Sequence, residues 1–285
     1  MESPHLKITS PLLLNPDHAV QMLAIFIESE VHRTGLKRAV LGLSGGVDSA
    51  LSTYLAVRAL GAENVHVVLM PYRSSSAESV SDAMAVVNDL KLSYEKFEIT
   101  AAADAFFAQT EAASGEMDRM RRGNALARLR MVTLYDRSQA RSALVIGTSN
   151  KTESLLGYTT IYGDNASAIN PLGDLYKTQV WQLSKFLGVP EQIVSKPPSA
   201  DLWPGQTDET ELGVTYEKVD ELLFYMVDFR EKDEQLIARG FDPEFIRTIR
   251  TKIQRMQYKR SLPLIAKISN RTINADFRYP RDWGT

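Results

Sequence analysis

Cysteine is absent from all 285 residues, which excludes disulfides, thiolate metal sites and any thiol nucleophile supplied by this chain. Long apolar runs are missing too. No stretch reaches the roughly 18 to 20 uninterrupted apolar residues that span a bilayer, and the start, MESPHLKITSPLLLNPDH, lacks the positive region and apolar core of a secretory signal. A cytoplasmic address and no membrane partner are the expectation. Charge of one sign is also lacking: the formal net charge is -2 and the pI about 6.1, so no global field draws the chain to nucleic acid or anionic lipid. The four histidines, His5, His18, His32 and His66, show no metal-ligand spacing and read as structural or exposed. Repeats, low-complexity segments and a cuttable linker are not found, so one domain over 1–285 is expected. Residues 1–15 would form an N-terminal arm and 208–285 a helical C-terminal elaboration.

With 44% hydrophobic and 24% charged residues, the chain can bury a large core. Asn15-Pro16 reads as a helix cap followed by proline at the first helical position, and Val20, Leu23, Ala24, Ile27 and Val31 then recur at helical spacing until Gly35. Four short apolar or β-branched runs, at 38–43, 64–70, 94–99 and 142–148, are separated by helical segments at 48–60, 76–91, 101–113 and 117–140. Alternating strands and helices predict parallel strands with helical crossovers, and near-continuous hydrophobicity predicts strands covered on both faces. The expected fold is a doubly wound, mostly parallel α/β sheet with helices on both faces, Rossmann-like in its winding. A further helix is expected at 177–187 and several more within 208–260.

Between the first run and its helix stands LGLSGGVDSA, residues 41–50. In doubly wound sheets ligands bind at the carboxyl ends of strands, where this loop lies. Gly45 and Gly46 let the backbone approach an anion, their N–H groups and those of Val47 and Asp48 can point at phosphate oxygens, and Ser44 and Ser49 add hydroxyls. A Walker A loop carries a lysine for the β and γ phosphates. Here that lysine is missing and Asp48 occupies the mouth. A carboxylate beside phosphates calls for a hard cation between them, and Mg²⁺ takes one or two carboxylates plus phosphate oxygens. The plainer alternative for a bare Gly-Gly-x-Asp is a tight turn with Asp48 capping the next helix.

The string SGGVDS matches the signature of the ATP pyrophosphatase, or PP-loop, family, whose members cleave ATP between its α and β phosphates. Downstream, VIGTSNKTESLLGYTTIYGD (145–164), the stretch 170–223 beginning NPLGDLYKTQVW, and YKRSLP (258–263) closely resemble the ammonia-dependent NAD synthetases. That resemblance implies a ligase: the nicotinate carboxylate of nicotinic acid adenine dinucleotide is adenylated by ATP, and ammonia then displaces AMP. It further implies that Gly42, Leu43, Ser44, Gly45, Gly46, Val47, Asp48 and Ser49 hold ATP together with Thr148, Lys177 and Ser199, with Asp48 and Lys177 central to catalysis. Asp48 and Glu153 would ligate magnesium, and Arg128, Tyr258 and Lys259 would contact the dinucleotide. A homodimer with the dinucleotide site at the subunit interface is implied as well. The proline- and glycine-rich stretch 197–208 would cover the site, and MPYRSSSAES (70–79) would be a flap or a polar turn beside ATP.

Two positions depart from the bacterial pattern: Ile161 stands where a substrate-binding lysine is usual, and Ala168 where an aspartate is usual. Relatives fused to glutaminase domains use a catalytic cysteine to release ammonia from glutamine. This chain has none, so direct use of ammonia, or its delivery by a separate glutaminase, is expected. The competing enzyme reading is a PP-loop protein that adenylates a tRNA base, for which the arginine-rich 119–130 segment and KIQRMQYKR (252–260) could track phosphates. A third is a nucleotide sensor that has lost its chemistry, against which Asp48, Glu153 and Lys177 together argue.

Overall fold

The computed structural model describes residues 10–197, 214–261, 263–268 and 270. Its centre is a four-stranded parallel sheet of β1 (Arg38–Gly42), β2 (Val65–Leu69), β3 (Ser93–Lys96) and β4 (Ala143–Val145), in the spatial order β3-β2-β1-β4. The sequence pattern gives all four strands, each of them shorter than expected. Past Lys96 the chain leaves the regular ladder, although the Phe97 and Ile99 N–H groups still donate to Leu69 and Pro71 carbonyls. Past Val145 a single parallel bridge, Ile146 to Ile169, continues the line of β4.

Alternation along the strands sorts two cores. Ala39 and Leu41 of β1, with Val65, Val67 and Leu69 of β2, face one side and join the largest apolar cluster. Val40, Val68, Ala143 and Val145 face the other side, where Leu134 and Met70 cover them. Such double-sided burial is what a parallel sheet requires. On the first side α2 (Val47–Leu60) lies between the sheet and the helices α1 (Pro16–Arg33) and α7 (Lys177–Leu187), which explains why ten of its residues are buried. Its polar Ser52 and Thr53 donate to the carbonyls of Gly147 and Ser49, so their burial costs little. On the second side α5 (Arg119–Arg141) packs along β1 and β4. The remaining crossovers are α3 (Ala77–Leu90) and α4 (Thr100–Ser114).

Helix ends follow local chemistry. The Asn15 side chain accepts the His18 N–H, Ser76 accepts that of Ser79, and Asp118 accepts that of Arg121, fixing the starts of α1, α3 and α5. The last residues before α1 are docked rather than loose: Leu12 is buried, and Leu14 exchanges backbone bonds with the Gln182 side chain.

Short helices α6 (Lys151–Leu156) and α8 (Glu191–Val194) flank α7, and the C-terminal region adds α9 (Tyr216–Leu223), α10 (Asp233–Ala238) and α11 (Pro243–Arg255). These last three bury Val219, Leu222, Leu223, Leu236, Ile246 and Ile249 in a second apolar cluster with Leu156 and Tyr176. Tyr216, the first residue of α9, instead joins the main cluster, where it meets Trp181 edge to face with centroids 6.0 Å apart.

One charge is buried with this second layer. Asp220 of α9 is fully buried, accepting from the Thr152 hydroxyl at 2.6 Å and from the Thr178 N–H at 2.8 Å. Burial pushes its carboxyl up to about 6, against the pull of those two bonds. Asp220→Ala leaves two donors without an acceptor, the Thr152 hydroxyl in α6 and the Thr178 N–H at the start of α7. It should cost roughly 1–3 kcal/mol for each, read as a fall in melting temperature. Because the folded carboxyl binds its proton more tightly than the unfolded one, wild-type stability should fall as pH rises from about 4 through about 6. Urea titrations of Asp220→Asn across that range should lack this component.

Candidate active site

The strand order reverses at β1: β2 and β3 lie on one side of it and β4 on the other. The loops that leave β1 and β4 therefore sit side by side at the carboxyl end of the sheet, the usual position of a ligand crevice in this architecture. They border a cavity of about 950 Å³.

The first loop is held by its own side chains. Ser49 Oγ accepts the Ser44 N–H at 3.2 Å and donates to the Gly46 carbonyl at 2.9 Å, while Ser44 Oγ accepts the Gly46 N–H at 3.2 Å. Gly45 is at φ +86°, and a Cβ there would lie 2.1 Å from the Ser79 carbonyl oxygen, so only glycine fits. The first bond of the α2 ladder runs from the Ala50 N–H to the Gly46 carbonyl. The N–H groups of Val47 and Asp48 thus precede the ladder, at the positive end of a long buried helix.

The second loop delivers a carboxylate to the first. Asn150 caps α6 by accepting the Glu153 N–H at 2.9 Å, and Glu153 Oε2 accepts the Asn150 N–H at 3.3 Å, a reciprocal capping box. Asn150 is fully buried, and its Nδ2 donates to Asp48 Oδ1 at 2.8 Å. A single helix cap therefore holds both acidic groups.

Between them lies the ammonium of Lys177, 2.5 Å from Asp48 Oδ2 and 3.3 Å from Glu153 Oε1, on a residue only 3% exposed. Lys177 is the first residue of α7, and its N–H donates to Thr152 Oγ1 at 3.0 Å, the same hydroxyl that donates to Asp220. The Tyr216 ring lies 5.4 Å from its Nζ. The buried Asp220 network thus fixes the helix start from which Lys177 reaches the loop.

Gly42, Leu43, Ser44, Gly45, Gly46, Val47, Asp48, Ser49, Thr148, Glu153, Lys177 and Lys259 all line the cavity, so most of the expected ATP and metal positions come together. Ser75, Ser76, Glu78 and Ser79 of the 70–79 stretch line it too, as a turn and the capped start of α3. Lys259 donates to the carbonyls of Gly157 and Thr159, and burial lowers its pKa. Arg128 and Tyr258 do not line the cavity: both are exposed, and Arg128 Nε donates to the Ile161 carbonyl at 3.3 Å. Ser199 and most of the expected cover lie outside the described residues. Sequence reasoning passes over Asn150 and Asp220; Asn-x-x-Glu at 150–153 is a capping-box spacing that could have pointed to the first, whereas nothing local marks the second.

The basic segments are largely engaged within the protein. Arg122 pairs with Glu111 at 2.6 Å, Arg121 donates to the Glu116 carbonyl and Ser114, Arg130 donates to the Met70 carbonyl, and Arg260 donates to the Ser154 and Leu155 carbonyls. This leaves little for a phosphate-tracking surface.

Fold and site together define a phosphate-loop α/β protein in which a carboxylate pair, not a loop lysine, faces the crevice. The family described as NAD synthase matches residues 19–263 of the chain. Over 275 residues the chain is 54% identical to the NH(3)-dependent NAD(+) synthetase of Trichlorobacter lovleyi, covering 96% of this chain and 99% of that one. The NH3-dependent NAD synthetase structure from Campylobacter jejuni superposes with a TM-score of 0.76 at 37% identity, over 90% of this chain and all of that one. The structure of an NMN synthetase from Francisella tularensis gives 0.79 at 34%, over 89% and 99%. The chain belongs to the NAD synthase family.

Asn150 offers a test that separates folding from site geometry. Asn150→Asp keeps an N-cap acceptor but sets a new buried carboxylate against Asp48, so turnover should fall, and stability should fall as pH rises and that carboxyl is forced to ionise. Asn150→Ala should cost about 1 kcal/mol of stability as well, through loss of the cap. Thermal melts beside steady-state rates check both.

Proposed function

We propose that this protein is an ammonia-dependent NAD synthetase. It adenylates the nicotinate carboxylate of nicotinic acid adenine dinucleotide with ATP, releasing pyrophosphate, and ammonia then displaces AMP to leave the amide. The observation that carries the reading is the convergence of Asp48, Glu153 and Lys177 at the lip of a lysine-free phosphate loop. A carboxylate oxygen is a poor leaving group, and adenylation replaces it with a good one. The chain's task is to position two anionic reactants and to meet the charge that develops on phosphate. The loop N–H groups and Lys177 serve that purpose, with Thr148 and Ser199 as further ATP contacts and Asp48 and Lys177 as the catalytic pair. The apolar end of the cavity, with Val68, Met70 and Leu134, suits the flat adenine ring.

The donor set fits magnesium. Asp48 and Glu153 offer hard oxygens that already share one cation, and with Lys177 they carry one net negative charge. Among the described residues no group of three or more acidic or histidine side chains forms a protein-only metal cage. That suits an ion held by two carboxylates and completed by phosphate oxygens; when bound, magnesium would neutralise charge on those phosphates.

Arg128, Tyr258 and Lys259 would hold the dinucleotide. The exposure of the first two outside the single-chain cavity supports a homodimer in which a second copy completes the site. The chain acts as one functional unit, in the cytoplasm, on ammonia used directly or delivered by a separate glutaminase. Among the described residues no helix is long and apolar enough to cross a membrane.

Incubation with Mg-ATP, ammonium and nicotinic acid adenine dinucleotide should yield AMP, pyrophosphate and NAD. ADP as product, or equal rates without the dinucleotide, overturns the reading, and amidation of nicotinic acid mononucleotide instead overturns the substrate assignment. Glutamine should not replace ammonium. Asp48→Asn should fold normally, lose on the order of a hundredfold or more in rate, and lose nucleotide-dependent Mn²⁺ binding by spin resonance. Light scattering should give twice the chain mass; a fully active monomer rules out the shared site.

A further inference from the structure

The loop lacks its own lysine, yet a lysine from elsewhere in the chain stands beside it. Lys196 follows α8, whose Ile193 and Val194 are buried in the main core, and this anchoring sends residues 195–197 along the cavity wall. Lys196 Nζ lies 2.9 Å from Asp82 Oδ2, 3.5 Å from Ser79 Oγ and 3.9 Å from the exposed carboxylate of Glu78. Ser79 is the residue whose carbonyl presses on Gly45, so the ammonium is one residue removed from the loop's most constrained point. Lys196, Ser79, Gly45 and Gly46 line the same cavity.

We infer that Lys196 is a phosphate-binding residue that supplies to the leaving pyrophosphate the positive charge a Walker loop takes from its own lysine. The inference rests on the adenylation reading given above. Three features support it. An ammonium has three donors, of which Asp82 takes one firmly, and Asp82 is 5% exposed, so the pair is held in place by burial. Lys177 is already committed to Asp48 and Glu153. Lys196 lines the cavity beside Ser79 of α3, whose carbonyl abuts Gly45, so β and γ phosphates seated over the loop glycines would meet its ammonium. In the adenylation step the α phosphorus gains a bond to the nicotinate oxygen and loses its bond to the bridging oxygen, whose electron pair leaves with pyrophosphate. Lys196 would stabilise that departing charge and take no proton.

Calorimetric titration of the full-length protein with magnesium pyrophosphate and, separately, with AMP tests this. Lys196→Gln should weaken pyrophosphate binding by roughly tenfold, the scale of one charge-assisted phosphate contact, and leave AMP binding unchanged. Lys196→Arg should restore most of the pyrophosphate affinity, which also shows that the position tolerates substitution. Asp82→Asn should leave pyrophosphate binding undiminished, because it removes a competing anion. Unchanged pyrophosphate binding in Lys196→Gln, an equal loss for AMP, or reproduction of the loss by Asp82→Asn overturns the inference. If wild type forms no AMP in the product assay, the proposed function fails first; if AMP forms and Lys196→Gln binds pyrophosphate normally, only Lys196 is misassigned.

Discussion

Two carboxylates drawn to one ammonium are the constraint around which the site is built. Asp48 and Glu153 follow different strands, β1 and β4, separated by most of the sheet's chain length, and would repel each other if brought together without a cation. Lys177 offsets that repulsion from a third element. Each of the three has its own support: Asn150 steadies both acids, and the Asp220 network steadies the start of α7. An ion pair this buried gains little net stability, since desolvation opposes the attraction. Its worth lies in holding charges at a defined place beside the loop.

The C-terminal layer takes part in this arrangement. Asp220 sits on α9, beyond the sheet, yet its two oxygens bind the residues that begin α6 and α7. The second apolar cluster keeps α9 pressed against those helix starts, so that packing energy far from the crevice fixes the direction of Lys177. Lys259 works from the same layer, tying the segment after α11 to the Gly157 and Thr159 carbonyls.

Much of this was legible in the residues. Strand and helix alternation was plain because both faces of a parallel sheet must be apolar, and Asn15-Pro16, Gly45 and the 177–187 periodicity carry local signals of cap, turn and helix. Strand ends were less legible: past Lys96 and Val145 single hydrogen bonds to the neighbouring strand persist but the regular ladder does not, which depends on the path of the chain across the fold and not on local propensity. Arg128 and Tyr258 show a related limit. Motif likeness marks them for the dinucleotide, while in the single chain both are exposed and outside the cavity.

The sequence by itself determined the doubly wound sheet and the phosphate loop, because those follow from periodicity and from glycine's conformational freedom. Tertiary structure decided which groups meet. Only the reversal of strand order at β1 sets the loop of Asp48 beside that of Asn150 and Glu153. Only the packing of α7 and α9 brings Lys177 to those carboxylates and Asp220 to Thr152 and Thr178, and only that of α8 sets Lys196 against Ser79 and Asp82. Spacing along a chain fixes what a segment can become, whereas distances across a fold are fixed by how buried surfaces share one volume.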